Sequence, residues 1–452
     1  MAVLSTRLPT REQTAQAGAR PVRVLHILPT LAGGGMELAA VRLIRGSRGA
    51  RVSPAGEDAT NAFPSPVDEQ ACSRERPVQS PAATERQGQG RHSVSFVHGL
   101  CILKEAEIEL IAQCQSQARI WVFGEGPNLT TRMCTWWRLR QVIRQFRPDI
   151  VHARSTGVWP DAALATRGLK TVKLLLSFHG KTNLARPSFK RRLLNRWAAA
   201  RADAVLAVSD DAAEHVRAEW GIPAAKLSVI RNGVDVEQFH PAASADEILR
   251  VRGELGLRGS DQVVICVANF MPIKGIDVLL RAWPAVVAGR PGGRHLLLLG
   301  EGPLQAQLQS LAWNLGCRQS VLFAGCRENV AELLRAADLF VLPSHYEACS
   351  NAILEALASG LPAVACDVGG NRELVAQGAS GWLVPPGSPK AMAECIANAL
   401  GDEANLRRIG QAARHQALTV NPESVWLATY HSLYAALAAG PGDGTEADPC
   451  AG

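Results

Sequence analysis

Short apolar runs, each followed by a glycine-bearing or polar turn and then a helical stretch, recur along most of this 452-residue chain. That alternation specifies parallel sheets covered by helices, because parallel strands need a crossover and a helix is the usual one. The first series has strand candidates at 22–28, 93–98, 119–123, 149–152, 173–178 and 204–208, with helices at 36–45, 104–113 and 135–146. A second begins after Pro241, with strands at 263–268, 295–299, 320–324, 339–342, 363–365 and 382–384. Helices fall between these at 275–288, 303–315, 330–336, 351–358 and 389–401. The fold expected is α/β: two Rossmann-like, doubly wound domains facing a cleft, with ligands at the carboxyl ends of the strands.

The expected domains are 21–240 and 241–422, joined through a linker from Arg231 to Pro241. A helix at 423–439 follows Pro422 and is expected to pack back on the first domain. Residues 1–20 mix Arg, Gln, Glu and Pro and are read as a disordered leader, and 440–452 as a disordered tail. The stretch 46–91 is rich in Pro, Ser, Gly, Gln and charge, with no apolar period. Such a composition buries too little surface to offset its ordering entropy, so it is read as a disordered insertion.

Apolar residues make up 47% of the chain and charged ones 20%, which places it among globular proteins. Abundant Ala, Leu, Arg and Gly with few aromatics suit a high-GC bacterial genome. No apolar run approaches the roughly 18–20 residues needed to span a bilayer. The eleven cysteines are odd in number and contain no Cys-x-x-Cys pair, which argues against a disulfide framework or a zinc site and fits a reducing, cytoplasmic compartment.

The chemistry concentrates in Glu347-Ala-Cys-Ser-Asn-Ala-Ile-Leu-Glu355. Glu347 lies in a loop leaving an apolar strand, and Glu355 lies one turn inside the next helix. Ser350 and Asn351 occupy the expected helix N-terminus, where free N–H groups favour an anionic phosphate. A carboxylate on either side of that anion site can accept from sugar hydroxyls. The glycine run Gly33-Gly34-Gly35 follows the first strand, where Gly34 and Gly35 would let a phosphate or sugar approach the backbone. No Asp-x-Asp occurs, so no metal is expected, and no full Gly-x-Gly-x-x-Gly fingerprint points to a nicotinamide cofactor.

With these motifs in place, the chain resembles the retaining GT-B glycosyltransferases of family 4, whose hallmark is Glu-x7-Glu. Further matches are Ala337-Asp-Leu-Phe-Val-Leu-Pro-Ser344, Asp367-Val-Gly-Gly-Asn-Arg-Glu373, Val229-Ile-Arg-Asn-Gly-Val-Asp235 and Pro272-Ile-Lys-Gly275. The resemblance covers nearly everything except leader, insertion and tail. It implies that Lys274 neutralises the donor diphosphate, that Glu347 and His179 position the transferred sugar, and that Glu355 binds ribose. Gly302 and Arg327 fall in loops that resemble those holding the nucleotide. Asn269 stands where the family usually has Arg, leaving Arg327 and Arg372 as candidates for the second phosphate charge. The resemblance also implies same-face transfer, with the donor phosphate helping to deprotonate the acceptor. No cofactor is implied beyond a UDP- or GDP-sugar co-substrate.

The net charge of +7 is uneven: residues 1–240 carry 33 Lys/Arg against 21 Asp/Glu, the remainder 15 against 20. Residues 132–201 hold 16 basic to 2 acidic. In 135–147, Leu139, Val142, Ile143 and Phe146 take core spacing while Arg140, Arg144 and Arg147 share an outer face. In 189–197, Phe189, Leu193 and Trp197 align beside Lys190, Arg191, Arg192 and Arg196. Such helices either pack their apolar face inward or meet an anionic membrane. The reading adopted is a peripheral enzyme at the inner face of the plasma membrane, with a saccharide or lipid-linked acceptor and a place in exopolysaccharide or lipopolysaccharide synthesis. A catalytically weak sugar-nucleotide-binding subunit is the alternative. Nucleic-acid binding would leave the glutamate and glycine motifs unexplained.

Overall fold

A computed structural model describes residues 2–4, 20–31, 34–47, 94–124, 134–180, 188–288 and 293–439. Two sheets carry the architecture. The first contains β1 (Ala2–Leu4), β2 (Val22–Leu28), β3 (Phe96–Ile102), β4 (Ala118–Val122), β5 (Ile150–Ala153), β6 (Lys173–Phe178), β7 (Ala204–Ala207) and β8 (Leu227–Val229). Its order is β1-β4-β3-β2-β5-β6-β7-β8, parallel except for β1, which pairs antiparallel with β4. The second contains β9 (Gln262–Val267), β10 (Arg294–Leu299), β11 (Val321–Gly325), β12 (Leu339–Leu342), β13 (Ala363–Cys366) and β14 (Gly381–Val384), ordered β11-β10-β9-β12-β13-β14. The doubly wound α/β pair expected from the sequence, GT-B in type, is therefore present.

The strand order reverses between β2 and β5 in one sheet and between β9 and β12 in the other. Loops leaving neighbouring strands diverge at such a point and open a crevice. Each sheet is covered on both faces, so its strands are mostly apolar rather than alternating: Leu339, Phe340, Val341 and Leu342 of β12 are all buried.

Expected and observed strands coincide at β2, β6 and β12 and differ by one or two residues at most others. β3 starts later than expected because Ser95 is exposed and only bonds back to Val22. Two strands depart from the sequence expectation: β8, three residues with little burial, and β1, which lies within the expected disordered leader. The rest of that leader, the bulk of the 46–91 segment, Gly33 and the 440–452 tail lie outside the described residues.

The last helix, Glu423–Ala439, crosses back to the first sheet. Trp426, Tyr430 and Tyr434 pack there with Val24, Leu43, Ile150 and Leu206. The chain thus passes between the sheets twice. The two crossings bond to each other, Val234 N–H donating to Asn421 O at 2.8 Å and Glu423 N–H to Val234 O at 2.9 Å.

The two basic helices behave differently. Helix Thr135–Phe146 buries Leu139, Val142, Ile143 and Phe146 as its spacing predicts. Arg140, however, is no outer-face residue, since its guanidinium donates to the carbonyls of Ala165 and Arg167, both at 2.8 Å. Helix Phe189–Arg201 buries only Asn195, Ala198 and Ala199. Its apolar stripe points outward, with Phe189 78% and Leu193 60% exposed and Leu194 and Trp197 beside them.

Candidate active site

β9 delivers the chain through Asn269 into a tight turn, Pro272–Lys274. Gly275 follows with φ +61°, and a Cβ there would stand 2.3 Å from the Pro343 carbonyl oxygen. Glycine alone therefore lets the lysine turn lie against the segment leaving β12. His345 N–H clamps the two loops by donating to Ile273 O at 2.8 Å. As a result Lys274 Nζ reaches Glu347 Oε1 at 2.6 Å, and Ser344 Oγ donates to the same oxygen at 2.7 Å. Glu347 is buried, and its loop is braced from behind by Gly370 N–H donating to Glu347 O at 3.0 Å.

Just beyond, Ser350 caps helix Asn351–Ala358 by accepting from Ile353 N–H at 3.3 Å. Glu355 is half-buried one turn inside. Burial pushes its carboxyl up to about 7, and the nearby Arg42 guanidinium opposes that rise. Asn351 joins the two halves: its Oδ1 accepts from Asn232 Nδ2 at 2.8 Å, and its Nδ2 donates to Gly35 O at 3.4 Å.

His179 stands at the carboxyl end of β6. The adjoining Gly180 has φ +108°, and a Cβ on it would come within 2.8 Å of Ala348 Cβ. The histidine loop of one sheet therefore touches the Glu347 loop of the other. Burial, then the Arg154 charge, pushes the His179 imidazole down to about 3, so the ring is neutral.

These loops enclose a cleft of about 1570 Å³. His179, Lys274, Glu347, Gly35, Asn269, Arg327, Ser350, Asn351 and Glu355 all line it. Gly34 and Gly302 are not among its lining residues. At Gly34, the space a Cβ would need is filled by the Glu37 carboxylate, 2.4 Å away, which Thr30 Oγ1 holds at 3.0 Å. Gly302 lets the loops after β9 and β10 pack together, since a Cβ on it would meet Phe270 O at 2.7 Å. Of the two candidate arginines, Arg327 lines the cleft, whereas Arg372 pairs with Asp367 at 2.5 Å on the surface.

Three further residues at the site, Ser344, Asn232 and Arg42, have no distinct signal in the sequence. Ser344 and Asn232 lie inside motifs already recognised, so proximity to those motifs was their only signal. Arg42, on helix Gly35–Gly46, carried none. Among the described residues no group of three or more His, Cys, Asp or Glu side chains is gathered as metal ligands would be.

An ion-paired lysine, two carboxylates and a helix N-terminus in one crevice can hold a phosphate between hydroxyl-binding groups. Two family profiles match the chain: Glycosyltransferase Family 4 over residues 89–238 and Glycosyl transferases group 1 over 261–402. The D-inositol 3-phosphate glycosyltransferase of Nocardia farcinica is 32% identical over 317 residues, covering 65% of this chain and 69% of that protein. The chain belongs to glycosyltransferase family 4.

The same-named enzyme of Segniliparus rotundus is 36% identical over 219 residues, 47% of this chain, and the match spans about half of that relative's length (48%). Among solved structures, Anabaena HepE in complex with UDP and glucose superposes with a TM-score of 0.72 at 19% identity, covering 92% of this chain and all of that one. That likeness speaks for the GT-B fold. For a family 4 glycosyltransferase, the cleft between the sheets is the place to look for the reaction.

Proposed function

We propose that this chain is a retaining, metal-independent transferase that moves a sugar from a UDP- or GDP-sugar to a lipid-linked saccharide acceptor in cell-surface polysaccharide synthesis. The observation that carries the reading is the 2.6 Å Lys274–Glu347 pair beside the N-terminus of helix Asn351–Ala358. Breaking the bond between the sugar's anomeric carbon and the phosphate oxygen puts negative charge on the diphosphate. Lys274 and the helix N-terminus supply fixed positive potential there, so the stabilisation is largest when that charge is largest. The acceptor oxygen bonds to the anomeric carbon and its proton passes to the departing phosphate. Glu347 and the neutral His179 hold sugar hydroxyls; Glu355, on the helix that follows, takes the ribose. Asn269 adds no charge, so Arg327 is the group that offsets the second phosphate.

The outward apolar stripe of helix Phe189–Arg201, flanked by Lys190, Arg192 and Arg196, supports contact with an anionic membrane. No helix among the described residues is long and apolar enough to cross one. Phe189→Ser with Leu193→Ser should lower cosedimentation with vesicles containing anionic lipid and leave donor hydrolysis unchanged. Equal sedimentation of variant and wild type would remove that surface from the account.

The reaction is tested by offering UDP-, GDP- and ADP-sugars in EDTA, with and without a membrane extract as acceptor. Turnover of one donor, accelerated by the extract, is expected. Tight binding of a donor without turnover would favour a sugar-nucleotide-binding subunit instead, the reading to which Asn269 points.

A further inference from the structure

The first sheet buries polar side chains for which sugar transfer has no evident use. His26 on β2, His98 on β3 and His152 on β5 lie under helix Glu423–Ala439, which adds Tyr430, His431 and Tyr434. His26 Nε2 is 3.0 Å from His98 Nδ1. Arg154, just past β5, is fully buried. Its Nε donates to His26 Nδ1 at 3.3 Å and its guanidinium sits 5.5 Å from the Tyr430 ring centroid. Among the described residues no carboxylate pairs with Arg154, and its Nη1 and Nη2 make no hydrogen bond within normal geometry.

One line of contacts runs from this cluster to the cleft. Tyr434 Oη is 2.8 Å from His152 Nδ1, His152 Nε2 is 2.9 Å from Ser177 Oγ, and Ser177 Oγ is 2.9 Å from His179 Nε2. Tyr434, His152 and Ser177 are fully buried, so water does not interrupt the line. Each neutral imidazole has one donor and one acceptor nitrogen, and each hydroxyl donates one proton. The line can therefore be polarised in two directions, which leave His179 with opposite faces toward the cleft.

Arg154 breaks the tie. Held between His26 Nδ1 and the Tyr430 ring, whose centroids lie 6.2 and 5.9 Å from that of Tyr434, its guanidinium bears on the Tyr434 phenol and can only donate. A cation beside a phenol draws the oxygen lone pairs and turns the phenolic hydrogen away, here toward His152 Nδ1. His152 then carries its proton on Nε2 and donates to Ser177 Oγ. The Ser177 hydroxyl in turn donates to His179 Nε2. His179, neutral, is left with its proton on Nδ1, the nitrogen that has no partner among the described residues.

We infer that Tyr434, His152 and Ser177 are positioning residues that hold His179 in the Nδ1–H tautomer, so that it meets the donor sugar as a fixed hydrogen-bond donor. A sugar hydroxyl that accepts from Nδ1–H keeps its own proton to give to a carboxylate, which fixes the sense of its hydrogen bonds. The role rests on the reading that the donor sugar lies beside His179. It also ties the cleft to the C-terminal helix through hydrogen bonds as well as packing.

The test is long-range 1H–15N NMR of the free protein, with His179→Asn used to assign the resonance. The wild type should show His179 protonated on Nδ1. Tyr434→Phe and Ser177→Ala should each move it toward a mixture of tautomers. With a donor that turns over, both should lower kcat about three- to tenfold while binding of the bare nucleotide stays unchanged. A wild-type His179 protonated on Nε2 would overturn the inference, and so would variants whose tautomer does not change. Because the wild-type tautomer is read without substrate and without the Tyr434 or Ser177 variants, misfolding of either of those cannot obscure it. Failure to bind any sugar nucleotide would overturn the reading of the cleft, a result separate from the tautomer itself.

Discussion

Lys274 and Glu347 share a 2.6 Å contact across 73 positions of sequence, and each was readable from its own motif. What could not be read was that they pair. That contact depends on Gly275 admitting the Pro343 carbonyl, a tertiary fact. Glu355 shows the same limit: its place in Glu-x7-Glu was legible, its raised pKa of about 7 was not, because the cause is burial. The raised value has two consequences. The folded state holds the Glu355 proton more tightly than the unfolded chain, so this residue's contribution to stability falls as pH rises from about 4.5 to 7. On the proposal that Glu355 holds the ribose, whose hydroxyls donate best to the ionised form, donor affinity should weaken up to about tenfold per pH unit below about 7. Glu355→Gln should raise the melting temperature at pH 8 and flatten the pH dependence of donor binding in calorimetry. Unchanged pH dependence would separate Glu355 from the ribose.

At the scale of elements, apolar periodicity located strands buried on both faces, such as β6 and β12. It missed β8, whose three residues bury too little to leave a pattern. The helix Phe189–Arg201 was foreseen, but not which way its stripe faces, since an outward apolar stripe and a core stripe have the same spacing. The histidines of β2, β3 and β5 were likewise embedded in apolar strands that masked them. Burial, reinforced by Arg154, pushes His26 and His152 far below the usual histidine range and His98 down to about 3. A buried neutral histidine stabilises the fold above the unfolded value near 6.5, and that stability drains away as pH falls toward the folded value. Each contributes up to about 1.4 kcal/mol per pH unit in that interval. The melting temperature should therefore drop steeply between pH 6.5 and 5, above the range in which ordinary carboxylates titrate. His98→Phe should lessen the drop in a melting series, and a flat wild-type profile in that interval would contradict the burial.

For the molecule as a whole, two sheets present the carboxyl ends of their strands to one cleft. Asn351 joins the halves through Gly35, and Arg231 through Glu373 at 2.8 Å. The helix Glu423–Ala439 secures the assembly by filling the core of the first sheet from the far end of the chain. The pair of doubly wound sheets was legible because each strand–turn–helix unit is local. The mutual placement was not, because it depends on side chains such as Asn351 that meet only after folding. Ending the chain at Pro422 would expose the apolar face that Trp426, Tyr430 and Tyr434 cover. A protein truncated there should aggregate or melt well below the full chain in calorimetry. The proposed role of Lys274, stabilising the departing diphosphate in this cleft, is tested by kcat for donor cleavage by Lys274→Ala against wild type, in EDTA. A fall of about 10²–10³-fold is expected, with nucleotide binding weakened far less. A variant that turns over at the wild-type rate would contradict it.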